Sequence, residues 1–411
     1  MNGGRWRTGI TAFSDVARRI DAATPAHRDR AVDALRALAI AGVILGHWLV
    51  TALMLTSGHA AGVHDASPLS TMPVLTPLSW VFQTLAIFFL VGGYAAATSY
   101  RSGYRAWLVR RLTRLCRPVV FLAAIWTLVA AGLISAGVSP TLHVLLTLVL
   151  DPLWFLGVFA LLTAATPIAV GLVRRFGAGA ALIPLAIVAG VDLVRFGAGD
   201  LAGLGWINVL AGWMVPYLLG IAWARGAFTT RKVPVLMLGG GVAATAALVA
   251  WAGYPASMVG VNGAAISNLN PPTIAAVSFG VAQAGLALLL RDPLARWMRR
   301  PLAWAAVAIA NLSAMTLFLW HQTAFITVTM LGSLSGQLPG LNTAPSSLAW
   351  VAERLAWLPA FAAVLGALWA VFRRAEQPRR GPSAAAQVRA PHAASRRERP
   401  AVERQSASES C

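Results

Sequence analysis

RDRAVDALRALAIAGVILGHWLV (residues 28–50) begins charged and becomes apolar, yet it keeps Arg36 and His47 inside the apolar part. A run of this length is what an α-helix needs to cross a bilayer, about 17 to 25 residues. An α-helix turns 100° per residue, so Arg36 and His47 differ by only about 20° in direction and by about 16 Å in height. Asp33 lies one turn before Arg36 and falls in the same sector. An arginine at the centre of a span costs about 2.5 to 3.5 kcal/mol, and ionisable side chains within spans turn toward the bundle interior or a water-filled cavity. For Arg36 alone, snorkelling to the near headgroups is a competing explanation, and for His47 an interhelical hydrogen bond is. Three polar residues on one stripe favour a shared functional cavity.

The rest of the chain repeats the apolar half of this pattern. Of 411 residues, 58% are hydrophobic and 11% charged, a balance that excludes a soluble globular protein of this size. Ten apolar runs are long enough to be spans, with cores at 31–55, 78–98, 119–137, 153–173, 178–194, 207–224, 233–252, 274–290, 303–329 and 348–372. Pro184 and Pro216 interrupt the fifth and sixth. The expected fold is an all-α integral membrane protein of ten transmembrane helices. Barrel strands would instead alternate over about ten residues.

Basic residues occupy every second connection: Arg101 to Arg117 after the second span, Arg174 and Arg175 after the fourth, Arg225 to Lys232 after the sixth, Arg291 to Arg300 after the eighth. The opposite side has only Arg195 and Arg354, near Asp192 and Glu353. Positive loops stay in the cytoplasm, so both termini are expected there. The net charge of +19 then follows from topology and anionic lipid, and no nucleic-acid partner is expected.

Residues 1–29 read as a basic cytoplasmic segment, 30–374 as the membrane domain, and 375–411, rich in Pro, Ala, Ser and Arg, as a disordered tail. Cys116 and Cys411 are not expected to pair. His59 and His64 have a metal-like spacing but no further fixed ligand, so no metal site is expected. Asp151-Pro152 reads as an N-cap followed by a first-turn proline. With one lysine among 33 basic residues, the composition points to a GC-rich bacterial genome, and the expected location is the bacterial inner membrane.

Four stretches carry a family resemblance. Asp33, Arg36 and, after ten intervening residues, His47 resemble the first-helix signature of the acyltransferase 3 family. RRLTRLCRP (110–118) is similar to its arginine pair, LWFLGVF (153–159) to its Trp-aromatic-Leu segment, and LSAMTLFLWHQ (312–322) to a late motif ending in a histidine, here His321. The similarity covers residues 28 to 372. One extra residue precedes Pro118 compared with the usual family spacing, which leaves the arginine assignment open among Arg111, Arg114 and Arg117. Phe318 stands where the family often has tyrosine.

The resemblance implies an integral membrane enzyme that moves acyl groups onto glycans and related acceptors. It implies His47 as the catalytic residue, either as general base or as transient acyl carrier. Arg36 would stabilise negative charge or orient the donor. It implies Arg111 and Arg114 as ligands of acyl-CoA phosphates, since guanidinium groups bind phosphate with paired hydrogen bonds. Asp33 and His321 join the substrate-binding set. The donor is then an acyl-CoA, with no tightly bound cofactor, and the acceptor a carbohydrate or glycolipid. The competing class is a transporter or flippase; against it, no carboxylate lies near the middle of any span.

Overall fold

A computed structural model describes residues 14–56, 62–100, 103–197, 203–261 and 263–376. It is 78% helical and has ten apolar helical segments of 18 residues or more, long enough to cross a membrane. His59 and residues 377–411 lie outside the described residues.

Helix α1 (Arg30–Val50) starts where Asp29 accepts hydrogen bonds from the backbone N–H groups of Ala31 and Val32. That cap satisfies two of the donors every helix start leaves open. The expected span ran to 55, but the backbone turns extended at Thr51. Strand β1 (Ala52–Thr56) then pairs antiparallel with β2 (Gly62–Ala66). Ala52 and Leu53 are fully buried there, so this apolar stretch packs inside as a hairpin.

Helix α2 (Leu85–Ser99) follows a 3-10 turn at Pro73–Leu78. Helix α3 (Tyr104–Ser135) is longer than the 119–137 expected. The arginines from Arg105 to Arg117 therefore sit on helix and not in a loop, because straight-chain arginines suit a helix as well as leucine does.

The region expected to hold the fourth and fifth spans is built in pieces: α4 (Ser139–Leu150), α5 (Leu153–Ala164), α6 (Thr166–Phe176), a 3-10 turn at Gly177–Ala181, and α7 (Leu182–Gly197). Pro152 and Pro167 stand at the first two breaks, where the missing N–H does least harm. In contrast, α8 (Trp206–Ala224) continues through Pro216, and α7 through Pro184.

Helices α9 (Lys232–Trp251) and α10 (Ile274–Trp297) come next. The ninth expected span is two helices, α11 (Pro301–Leu312) and α12 (Ala314–Ser333), separated by the non-helical Ser313. Helix α13 (Leu348–Glu376) ends the described chain.

Helix α8 is the most deeply buried of the long helices and lies against α2. A Cβ built on Gly220 would fall 1.9 Å from the Leu90 carbonyl oxygen, and one on Gly93 2.0 Å from that of Tyr217. The two backbones touch, as small residues allow in helix pairs where packing supplies the attraction.

Toward one end of the bundle, the carboxylate of Asp192, 1% exposed, accepts from Asn208 (2.9 Å), Tyr254 (3.2 Å) and the Ile274 N–H (2.7 Å), with Arg195 at 3.8 Å. It knots α7, α8 and the start of α10. At the other end Arg291 reaches Asp29 at 3.2 Å, and Trp304 donates to Thr24 at 2.7 Å.

Candidate active site

The polar stripe on α1 is assembled around Asp33. Its buried carboxylate accepts from Arg28 at 2.6 Å and Arg36 at 3.1 Å. Its carbonyl accepts from Asn311 of α11 at 2.8 Å. A carboxylate held by two guanidinium groups is a fixed charge, so Arg36 is oriented by its neighbour one turn before it.

Arg36 opens onto a cavity of about 320 Å³. Helices α1, α2, α3, α5 and α12 wall it. Three guanidinium groups, those of Arg36, Arg111 and Arg114, line it together with Phe88, Phe155, Phe159 and Phe318.

Arg111 is braced across the helix gap. It donates to the Ala95 carbonyl at 2.8 Å and to Ser99 Oγ at 2.9 Å, and lies 5.1 Å over the Trp107 ring. Of the three arginines left open by the sequence, Arg111 and Arg114 line the cavity, and the exposed Arg117 does not. Six residues beyond Arg111, the helix has rotated Arg117 about 120° away.

Toward the other end, α1 and α12 bring His47 and His321 together, with ring centroids 5.0 Å apart and planes at 55°. The Trp48 indole N–H donates to the His321 carbonyl at 3.0 Å and fixes the two helices in register. His47 Nδ1 lies 2.8 Å from the Val43 carbonyl, and His321 Nδ1 2.5 Å from that of Phe318.

A carbonyl oxygen only accepts, so both Nδ1 atoms carry the hydrogen. In the neutral rings Nε2 is then the unprotonated, basic nitrogen. His321 is 1% exposed, and its Nε2 has no hydrogen-bond partner among the described residues. His47 is half-buried.

The cavity lining reaches Val43 and Phe318, each one turn short of its histidine, and includes neither histidine. Between them stands an aromatic cluster. Phe155 lies 5.5 Å from Phe318, which lies 5.8 Å from the His321 ring.

Asp151 differs from the sequence expectation. Its backbone is helical, it ends α4, and the residue preceding α5 is Pro152, with no side-chain capping bond. The exposed carboxylate instead lies within the candidate span Thr141–Ala164, where the sequence reading placed no carboxylate.

Sequence reasoning took Arg354 only as an outer-side charge near Glu353. It is fully buried, donates to the Thr51 carbonyl at 3.0 Å just past α1, and is enclosed by Trp350, Phe325 and Phe361 at 4.7 to 5.5 Å. The rule that flagged Arg36, a charge inside an apolar run, applies equally to Arg354. Its neighbour Glu353 drew the eye instead.

Among the described residues no three His, Cys, Asp or Glu side chains converge as a metal site would require. No curated protein and no solved structure matches the chain. A family model described as an acyltransferase domain does match, over residues 29–373. That interval takes in α1 with its polar stripe, the braced arginines of α3 and the histidine of α12, and by it the chain belongs to the acyltransferase 3 family.

Proposed function

We propose that this protein transfers an acyl group, acetyl among the candidates, from a cytosolic acyl-CoA to a hydroxyl of a glycan or glycosylated small molecule at the membrane or beyond it. One observation carries the reading: a cavity lined by three guanidinium groups ends one helical turn short of a pair of histidines whose Nδ1 hydrogens are already committed to backbone carbonyls.

The dimensions agree with such a donor. The rise from Arg36 to His47 is about 16 Å. A pantetheine arm, with its two amide links, is about as long as five extended residues, about 16 to 18 Å. Anchored by its phosphates at the arginines, an arm of that length spans the rise from Arg36 toward the histidines.

At that level, His47 Nε2 takes the proton of the acceptor hydroxyl as the oxygen attacks the thioester carbon. The tetrahedral oxyanion collapses, the carbon–sulfur bond breaks, and the departing thiolate recovers the proton as CoA thiol, leaving the ester. The alternative route, in which His47 carries the acyl group between donor and acceptor, uses the same nitrogen.

Acyl-CoA enters as a substrate, and the chemistry requires no resident cofactor. The basic ends of the helices face the cytoplasm, the acceptor arrives from the opposite side, and the bacterial inner membrane is the setting.

The test uses the full-length protein in proteoliposomes with acetyl-CoA labelled in its acetyl group and an envelope extract as acceptor. Label transferred to glycan or glycolipid, found by mass spectrometry and lost with His47→Ala, supports the proposal. Accumulation of a glycan or small molecule inside the vesicles without acyl-CoA, and no transfer, favours a transporter instead.

A further inference from the structure

The cavity does not run open to the histidines. Its inner end is formed by Val43 of α1, Phe155 of α5 and Phe318 of α12. Phe155 and Phe318 are 4% and 6% exposed, and their rings are 5.5 Å apart. Phe155 is itself wedged between Phe88 at 4.7 Å and Phe89 at 5.2 Å, so it has little room to withdraw toward α2.

The wall behind them is equally tight. A Cβ on Gly92 would meet Phe159 at 2.6 Å, which puts that ring on bare backbone. Close-packed interiors reject added bulk, since one extra methylene without space strains its neighbours.

A donor whose phosphates lie at the arginines of this cavity directs its arm toward that inner end. The acyl chain beyond the sulfur meets Phe155 and Phe318.

We propose that Phe155 and Phe318 are the residues that decide which acyl chains this protein accepts, their rings capping the inner end of the cavity so that short chains are accepted over long ones. The inference rests on the acyl-CoA reading above and adds the residues that limit the chain. Phe318, one turn before His321, couples that limit to the position of the thioester. Phe155 supplies the opposing face.

The experiment measures binding of CoA, acetyl-CoA, butyryl-CoA and octanoyl-CoA to the purified full-length protein in nanodiscs, by competition against radiolabelled CoA. For the parent protein, octanoyl-CoA is expected to bind at least tenfold more weakly than acetyl-CoA.

Each buried methylene contributes about 0.8 kcal/mol, a factor of about four. Phe155→Ala and Phe318→Ala open space for two or more methylenes. The ratio of octanoyl-CoA to acetyl-CoA affinity is then expected to rise by about tenfold or more. Phe318→Leu keeps the site apolar and packed if the alanine variants do not fold, and moves the ratio the same way by less. Val43→Phe, which fills the inner end further, lowers butyryl-CoA relative to CoA.

CoA binding with no discrimination by chain length in the parent, or unchanged ratios in these variants, overturns the inference and leaves the donor reading standing. Failure of CoA and of every acyl-CoA to bind overturns both.

Discussion

The sharpest perturbation is the pair His47→Ala and His321→Ala, measured singly and together. General base catalysis contributes about 10²- to 10⁴-fold. Removing the Nε2 of His47 therefore slows transfer by about 10³, close to 4 kcal/mol at 1.36 kcal/mol per decade. His321 meets His47 through one tilted ring contact, and its backbone is held independently by Trp48. A ring contact of that kind is worth about 0.5 to 1.5 kcal/mol, so His321→Ala costs about 2- to 12-fold if it acts only by orienting His47.

In that case the double variant is no slower than His47→Ala alone, because the group being oriented has gone. The assay is the initial rate of label transfer from saturating acetyl-CoA in proteoliposomes, with helicity and elution volume as controls for folding. Two results would refute the reasoning. Transfer by His47→Ala within about threefold of the parent rate removes the base, given that the general-base contribution starts at about 10². A double variant another tenfold slower than His47→Ala makes His321 an independent participant.

Two further outcomes follow from the geometry. Arg111→Ala raises the KM for acyl-CoA by tenfold or more while kcat falls less, charge-assisted bonds to phosphate being worth about 1.5 to 3 kcal/mol; Arg117→Ala, off the cavity, leaves KM within about twofold, and equal effects would return the donor site to the general positive charge of α3. Gly220→Ala drives a methyl into the Leu90 carbonyl and lowers thermal stability in detergent by about 1 to 3 kcal/mol, whereas Gly239→Ala, with nothing within 4 Å, does not; equal unfolding temperatures would mean that α2 and α8 are not in backbone contact.

What could be read in advance was whatever depends on positions within one helix. Asp33, Arg36 and His47 share a sector by rotation alone, and the structure buries Asp33 against Arg28, Arg36 and Asn311. The spacing of Arg111, Arg114 and Arg117 left the choice among them open, since each neighbouring pair is one turn apart, and only the cavity lining separates Arg117 from the other two. Meetings between helices were out of reach. His47 and His321 are 274 residues apart, and no local pattern says that α1 and α12 touch.

Boundaries failed where composition is silent about backbone. Residues 52–56 are as apolar as the helix before them, so hydropathy extends the span through what is a strand. Asp151-Pro152 carries the residue types of a helix start, yet both residues keep helical torsions, and the carboxylate is left for other work. Likewise Ser313, an ordinary polar residue, divides a run that mean hydropathy treats as continuous.

The contact of α2 with α8 reaches further than stability. Where carbonyl oxygens press on glycines, neither partner can slide or tilt without collision, so these two helices move as one body. Phe88 and Gly92 ride on that body, which makes their side of the passage a fixed jamb. Under the proposed function, any widening that lets a thioester advance to the imidazoles comes from the other walls, for example by rotation of the Phe318 side chain or by displacement of α12 about the break at Ser313. On that reading, turnover depends on movement in the walls that face this fixed pair and not in the pair itself.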